Sequence, residues 1–272
     1  MQDVRPAAVA GMFYPGSKAA LAGDVEGYLA AAATRPAATG RVPKVVIVPH
    51  AGYVYSGPVA ASAYARLAPA RGTITRVVLF GPVHRVPVRG LALPAARSFA
   101  TPLGDVEIDQ PAAAAARTLP QVRESEAAHA HEHSLEVQLP FLQAVLGEFK
   151  LVPFVVGDAS SRDVAEVAEL LWGGPETLIV VSSDLSHFHR YADARQIDRA
   201  TVDAILALEP DLDHEQACGA TPVNGLLLAA RSHGLRPELL DLRNSGDTAG
   251  DKARVVGYAA VAFCAEDDHG RS

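Results

Sequence analysis

Residues 44–49 read KVVIVP and run directly into His50. A short run of apolar and β-branched residues predicts a strand that is buried on both faces, as in parallel sheets. Two further runs have the same form: VVLF at residues 77–80 enters Gly81, and LIVV at residues 178–181 enters Ser182. Three apolar strands that end in small or turn-forming residues therefore define the centre of the fold.

Helical and strand patterns alternate around these three runs. A fourth strand, LVPFVV at residues 151–156, separates two segments with helical spacing. The predicted helices span residues 58–67, 134–146, 164–171, 191–208 and 222–233, and two late strands span residues 238–242 and 254–263. This order predicts a single α/β domain over residues 1–265, with a central, mostly parallel or mixed sheet flanked by helices, and a polar tail at residues 266–272.

The composition is that of an ordinary globular chain. Of 272 residues, 49% are hydrophobic and 20% are charged, which argues against extended disorder. A net charge of −7 without a cluster of lysine and arginine offers no surface for a phosphate backbone, so nucleic acid is not an expected partner.

The cysteines and the termini indicate the compartment. Cys218 and Cys264 are far apart in the sequence, which predicts neither a disulfide nor a thiolate zinc site and fits a reducing cytoplasm. The sequence shows no basic leader followed by an apolar stretch, and no apolar run of about 18 residues. We therefore expect a cytoplasmic protein that does not bind a membrane.

A histidine follows each of the three apolar runs. His50 comes after KVVIVP, His84 after VVLFGPV and His187 after LIVVSSDLS. Side chains just beyond the carboxyl ends of parallel strands gather in the crevice where ligands bind. One such histidine would be equally consistent with an ordinary loop, but three predict a shared site for a metal ion, held by two imidazoles and a carboxylate as in Fe(II) oxygenases. Next to His50, Tyr53 and Tyr55 are expected to contact the substrate.

The anionic third ligand is expected from the loop at residues 244–251, NSGDTAGD. Asp247 and Asp251 both fit this role, and their spacing does not choose between them. Each one alone is equally consistent with a solvated aspartate in a glycine-rich turn.

A second histidine-rich segment, HAHEHSLE, occupies residues 129–136. It lacks the HExxH spacing of zinc proteases, and residues on one helical face are three or four apart, so an independent metal site is not predicted. We expect His133 and Glu136, or their neighbour Glu132, to line the same pocket, because ligating histidines need partners that orient them. His129 and His131 are equally consistent with a solvated helix start.

The segment SSDLSHFH at residues 182–189 places hydroxyls, a carboxylate and imidazoles at one strand end. A Ser/His/Asp hydrolase is disfavoured, because the sequence has no GxSxG motif and triad members come from separate segments. His187 is instead predicted to be a general acid/base, since the unperturbed pKa of histidine lies near neutrality. Asp184 would orient His187, and Ser183 would contact the substrate.

With these motifs assembled, the chain resembles the Memo family, the group also described as protein B of the AmmeMemoRadiSam system. The matching motifs occur in order along almost the whole chain. They are RPAAVAGMFYP at residues 5–15, PHAGYVYSG at 49–57, GPVH at 81–84, TPLG at 101–104, EHSLE at 132–136, QLPF at 138–141, SSDLSH at 182–187 and GYAA at 257–260.

The resemblance implies a fold like that of the class III extradiol dioxygenases, which are non-haem iron enzymes, although a fold alone does not imply an activity. In that lineage the positions of His50 and His84 look like metal ligands, and that of His187 looks like the acid/base histidine. Eukaryotic Memo proteins carry a cysteine in the loop that corresponds to residues 244–251, where this chain has Asp247. A carboxylate favours Fe(II), which is the expected metal, whereas a thiolate would favour copper; copper or another divalent metal is the alternative.

Prokaryotic members of the family are associated with a radical-SAM protein and an AMMECR-type protein. The resemblance therefore implies a functional link between this chain and such partners.

Three hypotheses for the function follow. The first is an Fe(II)-dependent, dioxygenase-like oxidoreductase that acts on a phenolic or other small substrate. The second is a protein that binds a peptide or small ligand in the same pocket without turnover, and the third is a metal-dependent hydrolase that uses His187 and Asp184. A third ligand more than about 5 Å from the histidine pair would favour binding alone, since metal–ligand bonds are roughly 2 Å.

Overall fold

A computed structural model describes residues 3–34 and 40–265, so the predicted polar tail at residues 266–272 lies outside the described residues. The strands in chain order are β1 (Val4–Arg5), β2 (Val45–Val48), β3 (Arg76–Pro82), β4 (Leu91–Leu93), β5 (Ser98–Thr101), β6 (Gly104–Glu107), β7 (Val122–Glu124), β8 (Lys150–Val156), β9 (Thr177–Ser182), β10 (His187–His189), β11 (Leu235–Asn244) and β12 (Val255–Ala265). The α-helices are α1 (Lys18–Ala33), α2 (Tyr53–Tyr64), α3 (Gln110–Ala116), α4 (Glu126–Ala130), α5 (Leu139–Leu146), α6 (Ser161–Leu170), α7 (Tyr191–Leu206), α8 (Ala220–Ser232) and α9 (Ser245–Thr248). Two 3₁₀ helices span Ala65–Ala70 and Glu136–Gln138.

A large mixed sheet forms the centre of the molecule. Its strand order is β10-β12-β2-β9-β3-β8-β4-β7, and β11 also pairs with β12. The four strands β2, β9, β3 and β8 are parallel, whereas β12 and β4 join them in the antiparallel direction. A separate small sheet has the order β1-β5-β6. The predicted mixed α/β architecture is thereby confirmed.

Helices cover both faces of the parallel strands. Helices α1 and α2 pack against each other, with α2 on β2 and β12, while α6 and α8 pack against each other, with α8 on β3 and β9. Every residue of β2 and β9 is buried, which explains why their sequences are apolar throughout rather than alternating.

Several predicted boundaries shift in the structure. Helix α2 begins at Tyr53, directly after Gly52, so Pro58 lies inside the helix instead of at its start. The predicted helix at residues 134–146 divides into a 3₁₀ turn and α5. Helix α1 was not predicted, because its alanines and glycines lie on all sides and leave no apolar stripe.

The loop predicted at residues 244–251 contains a short helix, α9. Asn244 caps it by accepting a hydrogen bond from the N–H of Gly246, and Asp247 accepts one from the N–H of Asn244. This reciprocal arrangement is a capping box, so the turn residues here end a strand and start a helix.

None of the helices in residues 3–34 and 40–265 is both long enough and apolar enough to cross a lipid bilayer.

Candidate metal centre

The parallel strands bring two of the predicted histidines to one edge of the sheet. His50 lies two residues beyond β2, and His84 lies two residues beyond β3. Both strands pair in parallel with β9, which lies between them, so their carboxyl ends point the same way. The imidazole rings of His50 and His84 consequently lie with their centroids 5.2 Å apart.

The third member of the cluster is His133, from the segment between α4 and the 3₁₀ turn. Its ring centroid lies 5.4 Å from that of His50 and 4.6 Å from that of His84. One ring nitrogen from each of the three histidines lies within 4.8 Å of the others. Three imidazoles therefore converge on one point, which is a donor set that could hold a metal ion.

Glu132 orients two of these rings. Its Oε1 atom lies 2.9 Å from Nδ1 of His84 and 3.3 Å from Nδ1 of His133. The same carboxylate accepts backbone hydrogen bonds from His84, at 2.6 Å, and from His133 and Ser134, both at 2.9 Å. Because a carboxylate only accepts, His84 Nδ1 carries the proton, and His84 Nε2 keeps a free lone pair.

Ser182 fixes the proton on His50 in the same way. The Ser182 hydroxyl donates to the carbonyl oxygen of Ser134 at 2.6 Å and accepts from Nε2 of Gln138 at 2.8 Å. With its only proton in use, Ser182 Oγ must accept the hydrogen bond from His50 Nδ1, which lies 2.9 Å away. The lone pair of His50 is therefore on Nε2 as well.

The electrostatic environment keeps these groups in the charge states that metal binding requires. Burial, followed by repulsion from His84, lowers the pKa of His50 to about 3, and burial and repulsion from His50 lower the pKa of His133 to about 4. Burial alone would raise the pKa of Glu132, but hydrogen bonds from His84 and Ser134 lower it to about 2. One buried and one half-buried neutral imidazole beside an ionised carboxylate fit the ligand chemistry of a divalent first-row metal.

The aspartates predicted as third ligand lie elsewhere. Asp247 Oδ1 accepts a hydrogen bond from the Tyr191 hydroxyl at 2.5 Å, and Asp247 Oδ2 accepts from Asn244 N–H at 3.1 Å. Asp251 is exposed and accepts from the N–H of Ala253. In the described part of the chain neither belongs to the histidine cluster, whose third member is His133.

His187 and Asp184 lie beside the cluster. Asp184 is buried, and its Oδ1 atom accepts hydrogen bonds from the backbone N–H groups of His50, at 2.6 Å, and Ala51, at 3.3 Å. Burial raises the pKa of Asp184, and the hydrogen bond from His50 and the charge of His187 oppose that rise. Asp184 therefore fixes the backbone that carries His50, while His187, at the start of β10, is close enough to act electrostatically on both.

Of the residues predicted to contact substrate, some are exposed and others are buried and hydrogen-bonded within the protein. Tyr55 is partly exposed, whereas Tyr53 is buried and donates to the carbonyl oxygen of Val137 at 2.7 Å. Ser183 donates to the carbonyl oxygen of Asp184. Glu136 is completely buried; the contacts that engage it are the Arg5 guanidinium, the Tyr14 hydroxyl and the backbone N–H groups of Ala8 and Val9. Glu136 thus anchors the N-terminal segment and does not line the pocket.

Cys218 is a neighbour of the cluster that the sequence did not indicate. Its Sγ atom lies 3.3 Å from His50 Nε2 and 3.9 Å from Ser183 Oγ, just before α8 begins. Burial raises the pKa of the thiol to about 12. The sequence predicted no thiolate metal site, because the two cysteines lie far apart without CxxC spacing.

The fold and this site define an α/β protein with a three-histidine centre on the carboxyl edge of a parallel core. Over residues 5–262 the sequence matches the family model described as Memo-like protein. The chain belongs to the Memo-like family, as its resemblance to Memo proteins had indicated.

Archaeal relatives match over nearly the whole length. A MEMO1 family protein of Ignicoccus hospitalis is 37% identical over 96% of this chain and 98% of its own length. A MEMO1 family protein of Methanococcoides burtonii is 40% identical over 79% of this chain and 84% of its own length. The crystal structure of an uncharacterized protein from Escherichia coli K12 aligns with a TM-score of 0.47 at 15% identity, covering 81% of this chain and 99% of that chain.

Proposed function

We propose that the chain is a metal-dependent enzyme in which His50, His84 and His133 hold one divalent first-row metal ion. The observation that carries this proposal is the convergence of one ring nitrogen from each of the three histidines within 4.8 Å of one another, with hydrogen bonds that place the protons of His50 and His84 on Nδ1. The distance between these ring nitrogens is shorter than about 5 Å, the distance beyond which we would favour a pocket that binds a ligand without a metal. Imidazole ligands suit iron, zinc, copper and nickel, and Fe(II) is the metal we propose.

The proposed reaction is the oxidation of a small, phenolic substrate. Bound Fe(II) would supply redox chemistry with O₂ and Lewis acidity toward a phenolic oxygen. His187 would remove the proton from the substrate hydroxyl as a general base. Asp184, which holds the backbone of His50 and acts electrostatically on His187, would keep the base and the ligand in register.

Asp184 lies between β9 and β10, and His187 is the first residue of β10. The proposed base His187 follows β9, and the proposed ligand His50 follows β2. Because β2 pairs with β9, the two histidines have fixed relative positions. We further propose that the radical-SAM and AMMECR-type partners either supply or consume the same substrate.

A second candidate is a metal-dependent hydrolase. The observation that favours it is the ligand set, because three histidines with an open fourth position are also a zinc set that lowers the pKa of a bound water. His187 would then accept a proton from the water instead of from a phenol.

The two candidates differ in metal and co-substrate. Protein purified without oxygen is analysed for stoichiometric iron, zinc and copper, and is then assayed for O₂ uptake with a catechol series and for hydrolysis of p-nitrophenyl esters. The oxidoreductase requires iron and O₂ uptake, whereas ester turnover with zinc and without O₂ uptake supports the hydrolase. If no metal is bound and His50→Ala changes neither assay, both are lost.

The role of His187 is tested by a matched pair of variants. His187→Ala should lower kcat by about 10²–10⁴, the usual contribution of a positioned acid/base group, while leaving the metal content unchanged. His189→Ala, on the same strand, is the control and should retain most of the activity.

A further inference from the structure

Phe188, the residue after the proposed base His187, has a left-handed backbone. Its φ is 62°, in a region that favours glycine because the Cβ atom of any other residue comes close to the following carbonyl oxygen. The side chain is 61% exposed, and its ring centroid lies 5.0 Å from Cζ of Arg254 and 5.7 Å from the centroid of the His187 ring. Burial of the ring therefore does not explain why a bulky residue is held in this conformation.

Phe188 is the extra residue of a β-bulge. His187 pairs with Val256 and His189 pairs with Val255, so two steps along β10 correspond to one step along β12. Paired residues of an antiparallel ladder share a face of the sheet, and consecutive residues of a strand lie on opposite faces. The bulge therefore places His187 and His189 on opposite faces, whereas residues two apart on a regular strand share one face.

Hydrogen bonds hold the chain just before the bulge. Asp198, which is 2% exposed, accepts the N–H of Ser186 at 3.0 Å. The N–H of Gly257 donates to the Ser186 carbonyl oxygen at 2.9 Å, and the N–H of Leu185 donates to the Gly257 carbonyl oxygen at 2.8 Å. A Cβ atom on Gly257 would clash with the Asp198 carboxylate, so this packing requires glycine there. Strained residues persist where their surroundings fix them in this way, and they cluster at functional sites.

We infer that the left-handed backbone of Phe188 orients the His187 imidazole toward the metal centre, so that Phe188 is a positioning residue for the proposed base. If residue 188 had an ordinary strand conformation while His189 kept its pairing, His187 would lie opposite Gly257 and turn to the other face. In its present position His187 is close enough to His50 and Asp184 to act on both electrostatically. This role of Phe188 rests on the proposed function of His187 as the base.

Three substitutions separate the effect of the backbone from that of the ring. Glycine and asparagine adopt a positive φ readily, whereas isoleucine, which is β-branched, does not. Phe188→Gly and Phe188→Asn should keep kcat for O₂ uptake with catechol within about twofold of wild type, and Phe188→Ile should lower it about 100-fold, as a misplacement of about 1 Å can. KM and metal content should be alike in all three, since His187 acts on the transition state. An equal loss of kcat in Phe188→Gly and Phe188→Ile would show that the ring is what matters and would overturn the inference.

Leu208 offers a matched control, since it is the other non-glycine residue with a positive φ in the described ranges, at 57°. It follows the C-terminal end of α7, whereas β10 precedes the N-terminal end of that helix. Leu208→Ile strains the backbone in the same way and should leave kcat within about twofold of wild type. A loss as large as that in Phe188→Ile would mean that backbone strain lowers kcat wherever it occurs, which contradicts a specific role for Phe188.

Crystal structures of the metal-free variants test the positioning of His187 without turnover. In Phe188→Gly the His187 ring should keep its wild-type position, and in Phe188→Ile it should move relative to His50 by more than about 1 Å. If catechol is not turned over but the ring moves as expected, the proposed reaction is wrong and the role of Phe188 in positioning His187 is retained. An unmoved ring in Phe188→Ile would refute that role. Phe188→Ala, a smaller residue that also disfavours a positive φ, replaces Phe188→Ile if the latter does not fold, and the same displacement is required.

Discussion

Two segments of the chain each present a carboxylate close to a turn, and only one of them builds the site. Glu132 is buried, with 1% of its side chain exposed, and it receives the N–H groups of imidazoles and of the backbone around them. Asp247 is exposed, and its oxygens are taken by the Asn244 N–H and the Tyr191 hydroxyl. The partners of a carboxylate, rather than its presence in a loop, decide whether it serves a metal centre or a helix cap.

The comparison also explains why the buried carboxylate is not itself a ligand. Glu132 must remain ionised in a buried position, and it does so because His84, His133 and Ser134 donate to it. With Oε1 accepting a hydrogen bond from His84 Nδ1, Glu132 fixes which nitrogen of that ring is free. Glu132 would thus act on a bound metal through His84.

The largest expected effect comes from removing the third histidine. His133→Ala should weaken binding of Co(II) or Zn(II) by more than about 100-fold, above the range for outer partners, because one of three ligands is lost. Isothermal titration at pH 7 measures this. His131→Ala is the matched control and should bind as wild type does; equal affinity in the two variants would exclude His133 as a ligand.

The next effect comes from Glu132→Gln. An amide can place an N–H group toward Nδ1, which disfavours the proton position that ligation needs, so metal affinity should fall by about 10–100-fold. The variant should still bind one metal per chain, since all three ligands remain. If its affinity equals that of Glu126→Gln, an exposed acid on α4, Glu132 does not orient the ligands.

A third effect appears in the pH dependence of the metal-free protein. His50, His129 and His133 have folded-state pKa values of about 3, 4 and 4, all below the value of about 6.5 in an unfolded chain. As the pH falls below about 6.5, the unfolded chain binds protons that the folded chain does not. The three histidines therefore make their full contribution to the free energy of unfolding above that pH. This contribution is lost as the pH falls toward 4, at up to about 1.4 kcal/mol per pH unit for each histidine.

Urea unfolding at pH 7, 6 and 5 in the presence of EDTA checks this. The slope of the unfolding free energy against pH should be smaller in His133→Asn than in wild type, because one of the three groups is gone. Identical slopes would mean that His133 titrates alike in the folded and unfolded chains.

The smallest effect concerns the other segment of the comparison. Asp247→Ala should leave metal affinity within about twofold of wild type and reduce the free energy of unfolding by about 1 kcal/mol, the usual value of a helix cap. Calorimetric titration and urea unfolding of the same preparation give both numbers. A large loss of metal affinity in Asp247→Ala would indicate that Asp247 is a metal ligand.

The sequence predicted the part of the site that depends on strand direction. His50 and His84 follow apolar runs, and parallel pairing through β9 dictates that they meet. His133 was predicted only to line the pocket, because its position depends on how the segment between α4 and α5 is folded by Glu132. That segment is also held by hydrogen bonds to Glu132 from Arg5 and His84, which are distant in sequence and which residue spacing does not encode.

The contact of Cys218 with His50 and the short strands β4 and β7 could not be predicted from sequence patterns either. Cys218 approaches His50 across 168 residues of chain, and no local motif marks that contact. The central strands were predicted from their apolar character, whereas β4 and β7 are three-residue strands whose sequences do not differ from those of loops.

The central claim is that three histidines, and no aspartate of the 244–251 loop, hold the metal. Crystals of protein loaded with one equivalent of Co(II) or Zn(II), measured on both sides of the metal absorption edge, test it most directly. We predict one anomalous peak, about 2.0–2.1 Å from a nitrogen of each of His50, His84 and His133, with Glu132 on Nδ1 of His84 and Ser182 on Nδ1 of His50. A peak bound by Asp247 or Asp251 in place of His133, or no peak at the cluster, would contradict it.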